Sequence, residues 1–104
     1  MYGLHGSLTA HPEQRDALVG RLLEGARALQ DFEGCYLYVV SEDAAEPDVV
    51  WVTEVWESPE AHRASLALEA VQALIGAARP LLAAPPEGGM ELIPVGGKGL
   101  DGRA

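Results

Sequence analysis

The order of residue patterns along this chain constrains its fold more than any single motif does. Four short segments alternate as strands do, and two longer segments carry apolar residues at helical spacing. They run in the order strand, helix, strand, strand, helix, strand, which corresponds to two βαβ halves. Since two helices can form one layer over four short strands, this order predicts an α+β fold of the ferredoxin-like (βαββαβ) type with a four-stranded antiparallel sheet.

In the first half, local signals set the bounds of each segment. The first strand covers residues 2–8, and the helix that follows has Pro12 in its first turn and Gly34 as its stop. The second strand begins at Cys35 and alternates, so that Cys35 and Leu37 are expected on the same side. Both sides of this strand are largely apolar, which suggests that both are covered.

A hairpin with aromatic residues on both of its sides follows. A short polar loop with Pro47 joins residues 35–41 to a third strand, residues 49–56, and predicts antiparallel pairing. The large aromatic residues of these strands are Tyr36, Tyr38, Trp51 and Trp56. Two helices can cover only one sheet face, so some of these side chains must point away from the helices. Because monomers rarely expose a whole apolar sheet face, we expect a homodimer that packs two sheets face to face.

A second helix and a short last strand complete the pattern. Ser58, followed by proline and glutamate, is a typical helix start, because its hydroxyl can cap the helix and the acidic residue favours the positive end of the helix dipole. Helical spacing continues to about Ala78, with a break expected near Leu68. A last strand is predicted over residues 90–95, after a segment rich in proline and glycine.

The chain length allows one hydrophobic core, since domains of about 100 residues are common. We predict a single domain over residues 1–95 and a glycine-rich C-terminal tail over residues 96–104. No apolar run approaches the roughly 20 residues that span a bilayer, and the N-terminus lacks the pattern of a signal peptide. A soluble, cytoplasmic protein without a membrane partner is therefore expected.

Charge and cysteine content argue against two further classes of function. The net charge is −9 with only seven basic residues, so a phosphate backbone would be repelled and nucleic acid is not an expected partner. Cys35 is the only cysteine and has no intramolecular partner for a disulfide. The histidines and the cysteine show none of the short spacings typical of zinc sites, so no metal is predicted.

Three short motifs occur in an order that resembles a known family. They are Gly-Cys at positions 34–35, Glu-x-Trp-Glu-Ser at 54–58 and Pro-Glu-Ala-His at 59–62. No one of them is specific, but their order and spacing are. Over about residues 2–95, the chain resembles the antibiotic biosynthesis monooxygenase family, which includes cofactor-free quinol and anthrone monooxygenases.

The resemblance implies a dimeric α+β barrel with a pocket between the sheet and the helices of each subunit. It also implies that no flavin, haem or metal is required, so we expect no cofactor. Related quinol monooxygenases often carry a histidine at the position of Ser65, which this chain lacks. The haem-degrading branch uses an asparagine, a tryptophan and a histidine where this chain has His5, Ser65 and Ile75, so haem degradation is disfavoured.

Oxidation without a cofactor requires an electron-rich substrate, such as a phenolate, because triplet oxygen reacts slowly with closed-shell molecules. The protein must then remove a proton, orient the substrate and exclude water. Histidine is the natural base near neutral pH, and the chain offers His5, His11 and His62. His62 can share a helix face with Ser65 and Leu66 and is the predicted catalytic residue. The alternative is a partly exposed histidine that hydrogen-bonds a strand.

Five other side chains are candidates for substrate binding. Trp56 could stack on a flat aromatic substrate, and Tyr36 or Tyr38 could hold a substrate oxygen, although each could equally serve packing. His5 and Ser65 complete the predicted substrate-binding set.

Glu54 and Cys35 are expected to have structural roles. Glu54 lies in mid-strand and is costly to bury without a partner. We expect it in a salt bridge or hydrogen bond at the dimer interface, with a catalytic base as the alternative. Cys35 has no basic neighbour in sequence and is expected to be a small buried residue rather than a nucleophile.

These observations lead to one functional hypothesis and one alternative. The hypothesis is a cofactor-independent monooxygenase that oxidises a quinol, an anthrone or a related phenol with O₂, with His62 as its catalytic residue. Its expected partners are a second copy of the chain, a small aromatic substrate and oxygen. The alternative is a non-catalytic, small-molecule-binding or stress-associated dimeric protein, since fold alone does not fix function.

Overall fold

A computed structural model describes residues 1–86 and 88–100 of the chain. Over these residues the secondary structure follows the predicted order, with the second helix divided in two near Leu68. The elements are β1 (Tyr2–Thr9), α1 (Arg15–Ala28), β2 (Cys35–Glu42), β3 (Val49–Trp56), α2 (Pro59–Ser65), α3 (Glu69–Ala78) and β4 (Met90–Leu92), with one turn of 3₁₀-helix at Arg79–Leu81. The predicted α+β class is confirmed.

The strands form a four-stranded antiparallel sheet in the order β2-β3-β1-β4, which is the ferredoxin-like arrangement. Helix α1 packs on β2 and β3, and α2 packs on β3. Helix α3 packs mainly on α1 rather than on the sheet. A space therefore remains between α3 and the central strands.

The register of the two central strands determines which side chains face the helices. Tyr2 pairs with Trp56, and Leu4 pairs with Glu54, so the even-numbered residues of β1 and β3 share one face. On that face Val50 and Trp56 are almost fully buried, together with Leu18 of α1. The odd-numbered residues of β1 and β3 lie on the opposite face of the sheet, which we call the outer face.

A β-bulge at the start of β2 overturns the predicted alternation of this strand. Cys35 pairs with Trp56, whereas Leu37 pairs with Val55, so Tyr36 is the extra residue. The prediction that Cys35 and Leu37 share one side is therefore wrong. Because the bulge restores the register, Tyr38 lies opposite Glu54 and faces the helices.

The bounds predicted for α1 are wrong at both ends. Glu13 has a φ of 67°, a left-handed conformation that a right-handed helix cannot include, and the helix begins two residues later at Arg15. It ends at Ala28, before the predicted stop at Gly34. Gly34 is instead required for close packing, since a Cβ there would lie 2.7 Å from the Cβ of Ala61 in α2.

The expected helix start at Ser58 and the break near Leu68 are confirmed. The Oγ of Ser58 accepts a hydrogen bond of 3.1 Å from the amide of Ala61, and residues 66–68 separate α2 from α3. The last strand is shorter than predicted, with three residues instead of six. The division into a domain and a tail at residue 95 stays a prediction, and residues 101–104 of that tail lie outside the described residues.

Among residues 1–86 and 88–100, no helix has both the length and the apolar character needed to cross a membrane.

Candidate active site

A cavity of about 300 Å³ occupies the space between α3 and the central strands. Its walls are mostly apolar and come from β1, α1 and its C-cap, and α3, with Leu8, Leu22, Leu29, Val71 and Leu74 among them. Its polar side chains are Tyr38, Glu54, Trp56, His62 and Ser65 from β2, β3 and α2, and Arg79 from the 3₁₀ turn after α3. An apolar cavity with a few convergent polar groups is the usual form of a small-molecule site.

Glu54 is the acidic side chain among these polar groups. Its side chain is only 17% exposed, and its Oε1 accepts a hydrogen bond of 3.0 Å from Nε1 of Trp56. Burial raises the pKa of Glu54, while the hydrogen bond from Trp56 opposes that rise. The expectation that Glu54 lies at a dimer interface is wrong, because the register of β3 directs it toward the helices with Val52 and Trp56.

His62 approaches Glu54 from the first helix after β3. Its Nε2 lies 3.9 Å from Oε1 of Glu54, and its ring packs edge-on against Trp56 with centroids 5.1 Å apart. Burial lowers the pKa of His62, and the neighbouring Arg63 lowers it further. The imidazole is therefore neutral at pH 7. The raised pKa of Glu54 and the lowered pKa of His62 both disfavour a state in which the two groups are charged together.

The distance between these two groups suits a bridging ligand. A separation of 3.9 Å is too long for a direct hydrogen bond. An oxygen atom about 2.8 Å from both Glu54 and His62 fits the gap, since that is an ordinary hydrogen-bond length. The pair can thus receive a hydroxyl group, with Glu54 accepting its proton.

Tyr38 faces Glu54 across the β2–β3 ladder. Burial raises the pKa of Tyr38, and the charge of Glu54 raises it further, so its phenol stays protonated. Among the described residues, no group accepts a hydrogen bond from its hydroxyl. Tyr38 is therefore available to donate to an oxygen atom of a ligand.

Ser65 has a different role from the other polar residues. It is 2% exposed, and its hydroxyl donates a hydrogen bond of 2.6 Å to the carbonyl oxygen of His62. This bond closes the last turn of α2 and commits the hydroxyl proton to the backbone. Ser65 thus supports the helix that carries His62, while its oxygen lines the cavity.

Two predicted binding residues lie away from this cavity. The side chain of His5 is on the outer face, where its Nδ1 lies 3.0 Å from Oγ1 of Thr53 and its ring stacks on Trp51. Tyr36, at the bulge, lines a separate groove between α1 and β2 together with Cys35. The structure thus brings together His62, Trp56, Tyr38 and Ser65, but not His5 or Tyr36.

Sequence reasoning gave too little weight to Glu54. The signal was present, because Glu54 alternates with Val50, Val52 and Trp56 and must share their side of the strand. Arg79, which also lines the cavity, was not considered at all, since it lies past the predicted end of the helix. In the described part of the chain, no group of three or more histidine, cysteine or acidic residues could hold a metal ion.

Comparison with known proteins places this site in a family context. The sequence profile described as antibiotic biosynthesis monooxygenase matches residues 1–77. A candidate antibiotic biosynthesis monooxygenase from Chloroflexus aurantiacus has a solved structure with 51% identity and a TM-score of 0.84, covering 92% of this chain and 94% of its own. No functionally curated protein matches the chain.

Two further solved structures are similar. One, from Deinococcus radiodurans, also a candidate antibiotic biosynthesis monooxygenase, has 31% identity and a TM-score of 0.79, covering 93% of this chain and 95% of its own. Another such candidate, from Caulobacter crescentus, has 22% identity and a TM-score of 0.83, covering 91% of this chain and 90% of its own, and supports the fold alone.

Proposed function

Because this chain belongs to the antibiotic biosynthesis monooxygenase family, we propose that it is a monooxygenase that oxidises a quinol, an anthrone or a related phenol with O₂. The observation that carries the proposal is the pairing of Glu54 with His62 at one end of a largely apolar cavity. Solved structures with 51% and 31% identity, both of candidate monooxygenases, support it.

The proposed reaction needs no cofactor, because a phenolate can itself give one electron to O₂. Triplet oxygen cannot react directly with a closed-shell molecule at a useful rate, so the slow part is to make the substrate electron-rich. The protein contributes by removing a proton, holding the rings and excluding water. The cavity provides a proton acceptor and apolar walls for these tasks.

The first step is removal of the substrate proton by Glu54. The substrate hydroxyl, which in an anthrone is that of its enol tautomer, lies between Glu54 and His62 and transfers its proton to the carboxylate, while neutral His62 hydrogen-bonds the same oxygen. Because burial raises the pKa of Glu54, that pKa lies closer to the pKa of a phenol than the pKa of an exposed carboxylate would. Glu54 is therefore the more effective base for this proton. Trp56 keeps the carboxylate in place through its Nε1.

The oxidation itself follows on the substrate. The phenolate gives one electron to O₂, and the resulting superoxide joins the ring radical to form a C–O bond at a carbon that carries hydrogen, para to the oxygen in an anthrone and ortho to it in a quinol. Glu54 returns its proton to the terminal peroxide oxygen. Glu54, again a carboxylate, then removes the hydrogen from the same carbon and the O–O bond breaks. The leaving hydroxide takes up that proton and departs as water. One phenol and one O₂ thus give one quinone and one water.

Aromatic side chains at the polar end suit a flat substrate. Trp56 is 1% exposed and presents its indole to the cavity, where it can pack against substrate rings. Tyr38 can donate a hydrogen bond to the developing oxyanion, because its hydroxyl stays protonated. In this proposal His62 and Glu54 are the catalytic residues, and Trp56 and Tyr38 bind the substrate.

The proposed assembly is a homodimer through the outer face of the sheet. Apolar residues on and beside this face are exposed in the single chain, with Val39 at 41%, Leu92 at 48% and Met90 at 58%. Ile93 and Val95, which follow β4, are 84% and 95% exposed. A second copy packed on this face would remove that apolar surface from water.

Oxygen consumption tests the proposed function. Chelator-treated protein is mixed with anthrone or 1,4-naphthoquinol in an oxygen electrode, against a blank without protein that measures autoxidation. We expect uptake above the blank, at least tenfold lower in His62→Ala and unchanged in His11→Ala, a control at an exposed histidine outside the cavity. Uptake equal to the blank with every substrate would contradict the oxidation and favour the non-catalytic binding protein.

A further inference from the structure

Arg79 brings a positive charge to the cavity. It is the first residue of the 3₁₀ turn after α3, and its side chain lines the cavity beside Ala78, Leu82 and Pro86. The residue is exposed, so it lies at the rim rather than in the floor. A guanidinium at the mouth of an apolar cavity is available to a ligand that enters there.

The side chain of Arg79 lacks a charged partner in the described part of the chain. Within residues 1–86 and 88–100, Arg79 has no ion pair and no side-chain hydrogen bond. By contrast, Arg15 pairs with Glu42 and also donates to backbone carbonyls, and Arg21 pairs with Glu24. Arg27 and Arg63 also have no ion pair among the described residues, but neither lines the cavity. Arg79 is therefore the unpaired arginine at the mouth of the cavity, where it can take an external anion as its partner.

The backbones that carry Glu54 and Arg79 lie toward opposite ends of the cavity. Glu54 pairs with Leu4 of β1. Leu82 bridges to Ala10, which lies six residues after Leu4 along the chain. Six residues of extended strand span about 20 Å. Arg79 lies one 3₁₀ turn before Leu82, because the amide of Leu82 donates a hydrogen bond to the carbonyl oxygen of Arg79. Apolar side chains line the cavity between the two charges.

We infer that the ligand of this cavity is an elongated aromatic carboxylate, whose anionic group binds Arg79 and whose hydroxyl lies at the Glu54–His62 pair. The hydroxyl part rests on the proposed function, but the carboxylate part does not. A planar carboxylate matches the guanidinium in a bidentate geometry. Charge also fixes the orientation, because the reverse pose would place two carboxylates against each other at Glu54.

The test compares two flat probes that differ in charge and hardly in shape, anthraquinone-2-carboxylate and anthraquinone-2-carboxamide. Binding is measured by quenching of tryptophan fluorescence, which needs no turnover, because Trp56 lines the cavity. We expect the carboxylate to bind about tenfold more tightly to the wild type, which is the ratio typical of one partly exposed charged hydrogen-bond pair. Added salt should reduce that ratio.

Variants of Arg79 test whether this residue causes the tighter binding of the carboxylate probe. In Arg79→Gln the ratio of the two affinities should fall to about one, while Arg79→Lys should keep part of it. Arg21→Gln, which makes the same change in net charge outside the cavity, should keep the full ratio. Thermal unfolding of each variant verifies that the fold is intact.

Three results would overturn the inference: equal affinity of the wild type for both probes, a preference that survives in Arg79→Gln, or no binding of either probe at millimolar concentration. Oxygen uptake separates this inference from the proposed function. A charge preference without uptake supports the ligand class and rejects the oxidation. Uptake without a charge preference rejects the ligand class and keeps the oxidation.

Discussion

Nε1 of Trp56 donates a hydrogen bond of 3.0 Å to Oε1 of Glu54, two residues earlier on the same strand. Residues two apart on a strand point to the same side, so this bond follows directly from the local sequence. It holds the carboxylate beside His62, whose Nε2 lies 3.9 Å from the same oxygen atom. The polar end of the cavity is thus organised around one buried acid.

The stability of the protein should depend on pH through Glu54. Burial raises the folded-state pKa of Glu54 above its ordinary value of 4.5, so the folded protein binds this proton more tightly than the unfolded chain. The negative charge therefore costs stability above the folded-state pKa, and the cost disappears as the pH falls through that pKa and below 4.5.

Glu54→Gln, whose amide oxygen can still accept the hydrogen bond from Trp56, removes that cost. Its Tm should exceed the wild-type Tm by a few degrees at pH 8, and the gap should close at pH 4. Thermal unfolding followed by circular dichroism at both pH values measures the gap. A gap of equal size at both pH values would show that the charge of Glu54 is not its cause.

Trp56→Phe should change the proton affinity of Glu54. The hydrogen bond from Nε1 lowers the pKa of the carboxyl, so its loss lets burial raise that pKa further. The acidic limb of the pH profile of kcat/KM should therefore move to higher pH, in addition to a loss of stability of about 1–3 kcal/mol from the smaller side chain. If Trp56 has a purely structural role, the variant should lose stability, but the acidic limb of its pH profile of kcat/KM should stay at the wild-type pH.

Gly25 should control the size of the cavity. A Cβ at this position would lie 2.5 Å from Cδ2 of Leu74, so Gly25→Ala must push a lining side chain aside. We expect a stability loss of about 1–3 kcal/mol and a KM that rises more for anthrone than for a single-ring quinol. Gly20→Ala on the same helix meets nothing within 4 Å and should instead stabilise the helix by about 0.5–1 kcal/mol.

If both glycine variants change KM for the large and the small substrate equally, Gly25 does not set the cavity size. The comparison is matched, because both substitutions add one methyl group to α1.

A charge on the outer face should prevent the proposed dimer. Val39 lies on this face and is 41% exposed, so Val39→Glu would place a carboxylate inside the interface. Light scattering coupled to size-exclusion chromatography should show a dimer for the wild type and a monomer for this variant. Leu23→Glu on α1, at 40% exposure, is the matched control and should stay dimeric.

A monomeric wild type would contradict the homodimer directly. A variant Val39→Glu that remains dimeric would place the interface elsewhere on the protein.

The fold was predictable because its signals are local. The alternation of β1 and β3, the cap at Ser58 and the break near Leu68 can all be read from neighbouring residues. The bulge at Tyr36 was not predictable, since it depends on pairing with Trp56 twenty residues away. The same holds for the start of α1, where a non-glycine residue, Glu13, takes a left-handed conformation.

The site was predictable only in part. His62 and Trp56 belong to one motif, and alternation places Glu54 on the side of Trp56. Which face of the sheet the helices cover is a property of the whole fold, however, and it decides that Glu54 is inside and His5 outside. The contribution of Arg79 depends on how the chain turns after α3, which local pattern does not encode.

The measurement that tests the central claim most directly is the rate of oxygen uptake by Glu54→Gln with anthrone, beside His62→Ala and the wild type. If Glu54 accepts the substrate proton, its loss should lower kcat/KM by about 100-fold or more, with the fold intact. The wild-type rate should also rise with pH across the raised pKa of Glu54. A Glu54→Gln rate within twofold of the wild type would contradict the assignment of Glu54 and His62 as the proton-handling pair.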